Sequence, residues 1–138
     1  MNNSFLNFGI SRFLDDFGKS RFILVNRMSN SPTICLSLYE HELSLKGNSP
    51  NTNLKIIYEL CYLYTWADLN KVDLDIILLN GNGFSEINVN RFVQWLKEYK
   101  TKKGSFLSPK VINSIITHCS SFCIWCGKCG LRHKLRFG

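Results

Sequence analysis

Apolar and polar residues alternate along most of this chain with the step of an α-helix. From Thr33 to Lys46 the apolar positions Leu36, Tyr39 and Leu43 lie three and four apart, which puts them on one helical face. Gly47 follows as a C-cap. In "SPNTNLKIIYELCYLYTWADL" Ser49 or Asn51 can cap and Pro50 suits the first turn. Leu54, Ile57, Cys61, Tyr64 and Asp68 trace one face there, and Ile56, Leu60, Leu63 and Ala67 the neighbouring one. A helix apolar over so much of its surface belongs in the centre of a core. "DLDIILL" predicts a short helix before a glycine-rich turn.

The pattern continues in "FSEINVNRFVQWLKEYK", with Ser85 as N-cap and Ile87, Phe92, Trp95, Leu96 and Tyr99 on the apolar side. The last clear helix opens at "LSPKVINSII", with Ser108 as N-cap and Pro109 in the first turn. Its stripe is Val111, Ile112, Ile115, Ile116, Cys119, Phe122, Cys123 and Cys126. This helix echoes the one at Ser49. Both start Ser-Pro, both carry an Ile-Ile pair in the same register (Ile56-Ile57 and Ile115-Ile116), and both reach Trp sixteen residues after the proline. The echo predicts two helices packed in similar roles. Trp66, Trp95 and Trp125 end apolar stripes and read as core anchors. Only Phe22 to Val25 reads as a strand, before the turn-prone "MSNSP". The expectation is a mainly α fold. Residues 1–20 form an N-terminal arm, 21–126 a small four-helix bundle with a strand-like start, and 127–138 a basic, cysteine-containing tail.

Hydrophobic content of 45% and three prolines in 138 residues exclude wholesale disorder. No run approaches the roughly 18 apolar residues of a membrane span. The first twenty residues lack the apolar core of a secretion signal, so a cytoplasmic protein without a membrane partner is expected. Charge adds a polarity. Residues 1–48 carry net +1, residues 49–96 net −2, and residues 97–138 hold nine Lys/Arg against one acid, net +8. One strongly positive region suits a polyanion.

Six cysteines suggest other chemistry. A reducing compartment argues against disulfides, and Cys35 and Cys61 sit in apolar runs as small hydrophobes. "CSSFCIWC" has a C-x3-C-x2-C spacing that resembles the cluster motif of radical S-adenosylmethionine enzymes, but only twelve residues follow it, too few for that barrel. "CIWCGKC" with His133 gives Cys123, Cys126, Cys129 and His133 a spacing that zinc accepts. A redox C-x-x-C pair lacks its βαβ setting. The simplest account is helical: Cys119, Cys123 and Cys126 continue the stripe of Ile112 and Ile115. No cofactor is then expected; zinc, in a metal-stabilised interaction module, is the alternative. Catalysis ranks last. His41 and His118 have no acid/base partner at a useful helical spacing and read as surface residues.

"SPNT" with Trp66, "RFVQWL", and "LSPKVINSII" with Phe122 and Trp125 come in an order that resembles the N-terminal core-binding domain of the tyrosine recombinase, or phage integrase, family. The resemblance covers roughly residues 21–126. It implies a small all-α bundle that clamps double-stranded DNA at a recombination site during DNA recombination and integration. In that family a following domain carries the catalytic arginines and the tyrosine nucleophile. The expectation here is a truncated, non-catalytic DNA-binding chain, acting alone or beside a catalytic recombinase subunit. The residues expected to meet DNA are Lys97, Lys100, Lys102, Lys103 and Lys110, which would neutralise phosphates. Thr52, Asn53, Lys55 and Asn113 lie with Lys110 in the first turns of two helices, where backbone N–H groups favour phosphate and side chains reach base edges.

Overall fold

The computed structural model describes residues 8–80 and 85–128. The fold is mainly helical, with a three-stranded sheet and five helices: β1 (Phe8–Leu14), β2 (Ser20–Asn26), β3 (Ser31–Pro32), α1 (Ile34–Leu45), α2 (Pro50–Leu69), α3 (Leu74–Leu79), α4 (Glu86–Glu98) and α5 (Pro109–Lys128). The sheet is antiparallel in the order β1-β2-β3, with Phe8 opposite Asn26 and Leu14 opposite Ser20. The single strand-like run expected at Phe22–Val25 is thus the middle of a sheet. Seven residues of the segment expected as an arm, Phe8–Leu14, supply its first strand. The turn between β1 and β2 closes on Asp15, whose backbone N–H donates to the Lys19 carbonyl at 3.0 Å, while Gly18 takes φ +77°. That left-handed φ is open to glycine without a Cβ penalty.

Phe8, Phe22 and Leu24 point into the core. One ion pair binds the sheet to α1. Arg21 grips Glu40 with two bonds of 2.8 and 2.7 Å, and the Phe22 N–H donates to the same carboxylate at 3.2 Å. Glu40 is buried, so the fork and the amide replace its lost water. The hydrogen bond to Glu40, more than any other cause, raises the Arg21 pKa.

α2 is the central element, with twelve of its twenty residues buried. The expected start is in place, since Ser49 Oγ accepts from the Thr52 N–H at 3.2 Å and Pro50 opens the helix. Beyond its end, Lys71 takes φ +58°, its N–H bonds the Asp68 carbonyl at 3.0 Å, and the Val72 N–H bonds that of Ala67 at 2.8 Å. That is a Schellman stop built on a lysine rather than a glycine. α5 runs beside α2 in the same direction. Glu59 meets Ser114 and His118, and further along Tyr64 meets Phe122 at 6.2 Å between ring centroids. The two helices that share a sequence opening are therefore parallel neighbours, with both N-termini at one end of the molecule.

α4 closes the side of α2 through Phe92, whose ring sits 5.7 Å from Trp66 and 6.2 Å from Trp95. Trp125 packs on Tyr39 at 5.3 Å, so all three tryptophans lie against the core. The short α3 bridges from the other side. Its Asp75 accepts from the N–H groups of Ile34 (2.8 Å) and Cys35 (3.2 Å) and from the Tyr64 hydroxyl (2.8 Å). α1 has no side-chain cap of its own, because Thr33 donates its hydroxyl to the Leu24 carbonyl instead. Asp75 caps it from a distance. Among the described residues no helix is long and apolar enough to cross a membrane.

Candidate nucleic-acid interface

Two of three sequence features lie at the shared N-terminal end of α2 and α5, and the other leads directly into the start of α5. The first is the pair of caps. Ser108 Oγ accepts from the Val111 N–H at 3.2 Å, as Ser49 does for Thr52. Each helix start presents further N–H groups and the positive end of its dipole. The second is the basic loop that leads into α5. It is a tight hairpin: Lys100 pairs with Phe106, the Thr101 N–H donates to the Ser105 carbonyl at 2.9 Å, and the Gly104 N–H to that of Thr101 at 2.8 Å. Gly104 adopts φ +80° at its tip, a conformation that strains side-chain-bearing residues. Lys102 and Lys103 are exposed there, and the Lys100 ammonium lies 5.3 Å from the centre of the exposed Phe106 ring. Tyr99 anchors the hairpin by packing on Tyr62 of α2, 5.4 Å between centroids. The third is the set of exposed polar side chains on the first turns: Thr52 and Lys55 on α2, Lys110 and Asn113 on α5. Lys97 is exposed in the last turn of α4.

Asn53 is a correction. It was expected at a base edge, but it is 2% exposed, and its Oδ1 has no hydrogen-bond partner. It stands one turn before Ile57 on the buried stripe, so the helix turns it inward. It is not available to DNA.

His118 is a second correction. Far from lacking a partner, its Nδ1–H donates to Glu59 Oε1 across the α2–α5 contact. Ser114 Oγ, one turn earlier, bonds both Glu59 oxygens at 3.0 and 2.9 Å. Lys55 Nζ stands 3.9 Å from Oε2 on the solvent side. Glu59 is only 7% exposed, and these partners replace its water. The group contains serine, histidine and carboxylate, but serine and histidine both bond the carboxylate. Nothing here activates the serine hydroxyl as a nucleophile, which would require the imidazole at its oxygen. The geometry is that of a clamp holding α2 and α5 in register. His41 is exposed, with its Nδ1 3.2 Å from Arg21 Nη2.

The cysteines follow the stripe. Cys119 and Cys126 are buried and Cys123 is half-buried. Burial pushes the Cys119 thiol well up, and the Cys123 thiol up to about 12. The Cys35 thiol is also raised, first by its hydrogen bond to Cys126 and then by burial. Zinc takes thiolates, so of the four candidate ligands Cys123 would have to give up a proton that burial holds. Cys129 and His133, the other two ligands of the zinc alternative, lie outside the described residues. Among the described residues no group of three His, Cys, Asp or Glu side chains could hold a metal ion.

No protein-family model, no curated protein and no solved structure matches this chain.

Proposed function

We propose that this protein is a non-catalytic DNA-binding module of the kind found as the core-binding domain of tyrosine recombinases, and that it holds duplex DNA by its phosphates. The observation that carries this reading is the arrangement at one end of the bundle. Two parallel, capped helix starts lie there and a lysine hairpin leads into one of them, with Thr52, Lys55, Lys110 and Asn113 exposed on their first turns. Backbone N–H groups and lysines are the usual donors to phosphate, and they set register on a duplex without reading sequence. The side chains offered here are chiefly lysines, which suits position-tolerant holding; base readout would rest on Asn113 and Thr52.

The test is a titration of a fluorescent duplex at several salt concentrations. Affinity falls steeply with salt, because each neutralised phosphate releases counterions. Lys100→Ala/Lys102→Ala/Lys103→Ala lowers the magnitude of the log–log slope by up to about 2.7, at roughly 0.9 per contact. Absence of binding at low salt, or binding indifferent to salt, would sink the proposal.

A further inference from the structure

The two edges of the sheet differ. β3 is two residues long and carries Pro32, which blunts it. β1 runs for seven residues against β2 in an unbroken register, with no proline, lysine or bulge along it. The ladder shows which of its backbone groups are already used. The Asp15 N–H bonds the Lys19 carbonyl, and on the far side of β2 the Thr33 N–H bonds the Leu24 carbonyl. Antiparallel bonding alternates, so Gly9, Ser11 and Phe13 bond to β2, while Ile10, Arg12 and Leu14 turn their N–H and C=O groups outward. Ser11 to Leu14 are exposed, and Phe13 and Leu14 overhang the core that holds Phe8.

An open strand edge takes another extended strand, and an antiparallel copy of itself matches its hydrogen-bonding groups by symmetry. Side chains select the register. A two-fold axis at Ser11 pairs the whole strand: Ile10 stands opposite Arg12 of the copy, Gly9 opposite its Phe13, and Phe8 opposite its Leu14. An axis at Arg12 would set two arginines against each other, which destabilises. An axis at Ile10 would leave Phe13 and Leu14 uncovered. With the axis at Ser11, Leu14 lies beside the copy's Phe8 on the core face. Phe13 then faces a hollow of about 300 Å³ lined by Gly9, Ser11, Val25 and Arg27 of the copy. Arg27 lies across Gly9, with its Nε 2.7 Å from where a Cβ would stand. A guanidinium and a phenyl ring attract, as Arg21 and Phe13 already do within one chain at 5.7 Å.

We infer that β1 pairs antiparallel with β1 of a second copy about a two-fold axis at Ser11, joining two three-stranded sheets into one of six strands. The inference is independent of the DNA-binding reading.

The experiment is sedimentation equilibrium of the reduced full chain. A seven-residue edge is small beside a standard interface, so the loading spans about 5 to 500 μM. The mass should rise from 15.9 kDa toward twice that value. Arg12→Pro removes an outward N–H and leaves the bonds to β2 in place, so it should stay monomeric with an unchanged circular dichroism spectrum. Phe13→Ala should weaken dimerisation by about 5-fold. Ser11→Cys, in a Cys129→Ser background, puts two thiols on a non-hydrogen-bonded pair with Cα atoms about 4.5 Å apart, within disulfide reach. Diamide should link that variant into a covalent dimer, which reads the register whether or not Arg12→Pro folds. A chain that stays monomeric at the highest loading, with Ser11→Cys unlinked, would overturn the inference. So would a dimer that a folded Arg12→Pro variant leaves intact, because its interface lies elsewhere.

Discussion

Replacing Asp75 by alanine tests how the short α3 holds the bundle together. The carboxylate serves three donors on two other elements: the Ile34 and Cys35 N–H groups at the start of α1, and the Tyr64 hydroxyl on α2. The hydroxyl belongs to a residue only 4% exposed, so without Asp75 it has no access to water as a substitute acceptor. A buried donor left unsatisfied costs about 1–3 kcal/mol. Loss of this side-chain cap on α1 adds about 1 kcal/mol, and loss of a negative charge at that helix start a few tenths more. The expected total is about 3 kcal/mol. Urea unfolding followed by far-UV circular dichroism reads it directly. With a slope of roughly 1.5–2 kcal/mol/M, the midpoint should fall by about 1.5–2 M. Tyr64→Phe alone should cost about 1 kcal/mol, whereas in the Asp75→Ala background it should restore about 1 kcal/mol or more, because it removes the orphaned hydroxyl. A cost of less than about 0.5 kcal/mol for Asp75→Ala, the range of an ordinary surface change, would refute the network.

The Glu59 clamp makes a second prediction: His118→Ala costs about 1–2 kcal/mol in the same assay, the partial exposure of the imidazole keeping the figure modest, and an unchanged midpoint would show that the clamp holds nothing. Asn53→Ala leaves DNA affinity and its salt slope within about twofold of wild type, because a buried amide cannot reach a base; a tenfold loss by anisotropy would return that residue to the interface. Alkaline pH should weaken the fold. Burial pushes the Cys61 and Cys123 thiols up to about 12 from an ordinary 9.0, so between these values the unfolded chain has released protons that the folded chain keeps. Stability then falls as pH rises through that window, by at most about 1.4 kcal/mol per unit for each thiol. Urea midpoints from pH 8 to 11 should show a decline that Cys61→Ala/Cys123→Ala flattens, and an unchanged slope in that variant would contradict the burial.

The helices were legible because their signals are local. Ser-Pro marks two starts, and a stripe three to four residues apart marks each buried face. The sheet was not, because strand pairing is a long-range property. β1 reads "FGISRFL", with Phe13 and Leu14 turned to solvent and only Phe8 and Ile10 against the core, so the alternation that would announce it is blurred. The Asp-Asp-Phe-Gly turn between β1 and β2 was the available clue. The partner of His118 was invisible for a similar reason: helical spacing along α5 cannot reveal a carboxylate on α2. The burial of Asn53 was readable, since it falls on the same stripe as Ile57, Leu60 and Tyr64, but the polar side chain suggested a surface position. At the interface the lysines were individually visible. That Lys55 and Lys110 share one end of the bundle was not, because it depends on α2 and α5 being parallel.

That parallel arrangement also bears on how the chain reaches its fold. Antiparallel helical neighbours can close soon after the second emerges, joined by a short loop. α2 and α5 are separated by everything from Asn70 to Ser108, which must travel back along the bundle before the two helices can meet. Central as it is, α2 therefore waits on the ribosome with one apolar flank uncovered until α5 has been synthesised. Loop closure of that length slows the search and lengthens the time a sticky surface is open to other chains. The clamp at Glu59 takes its donors from α5, so it cannot close before that helix is present.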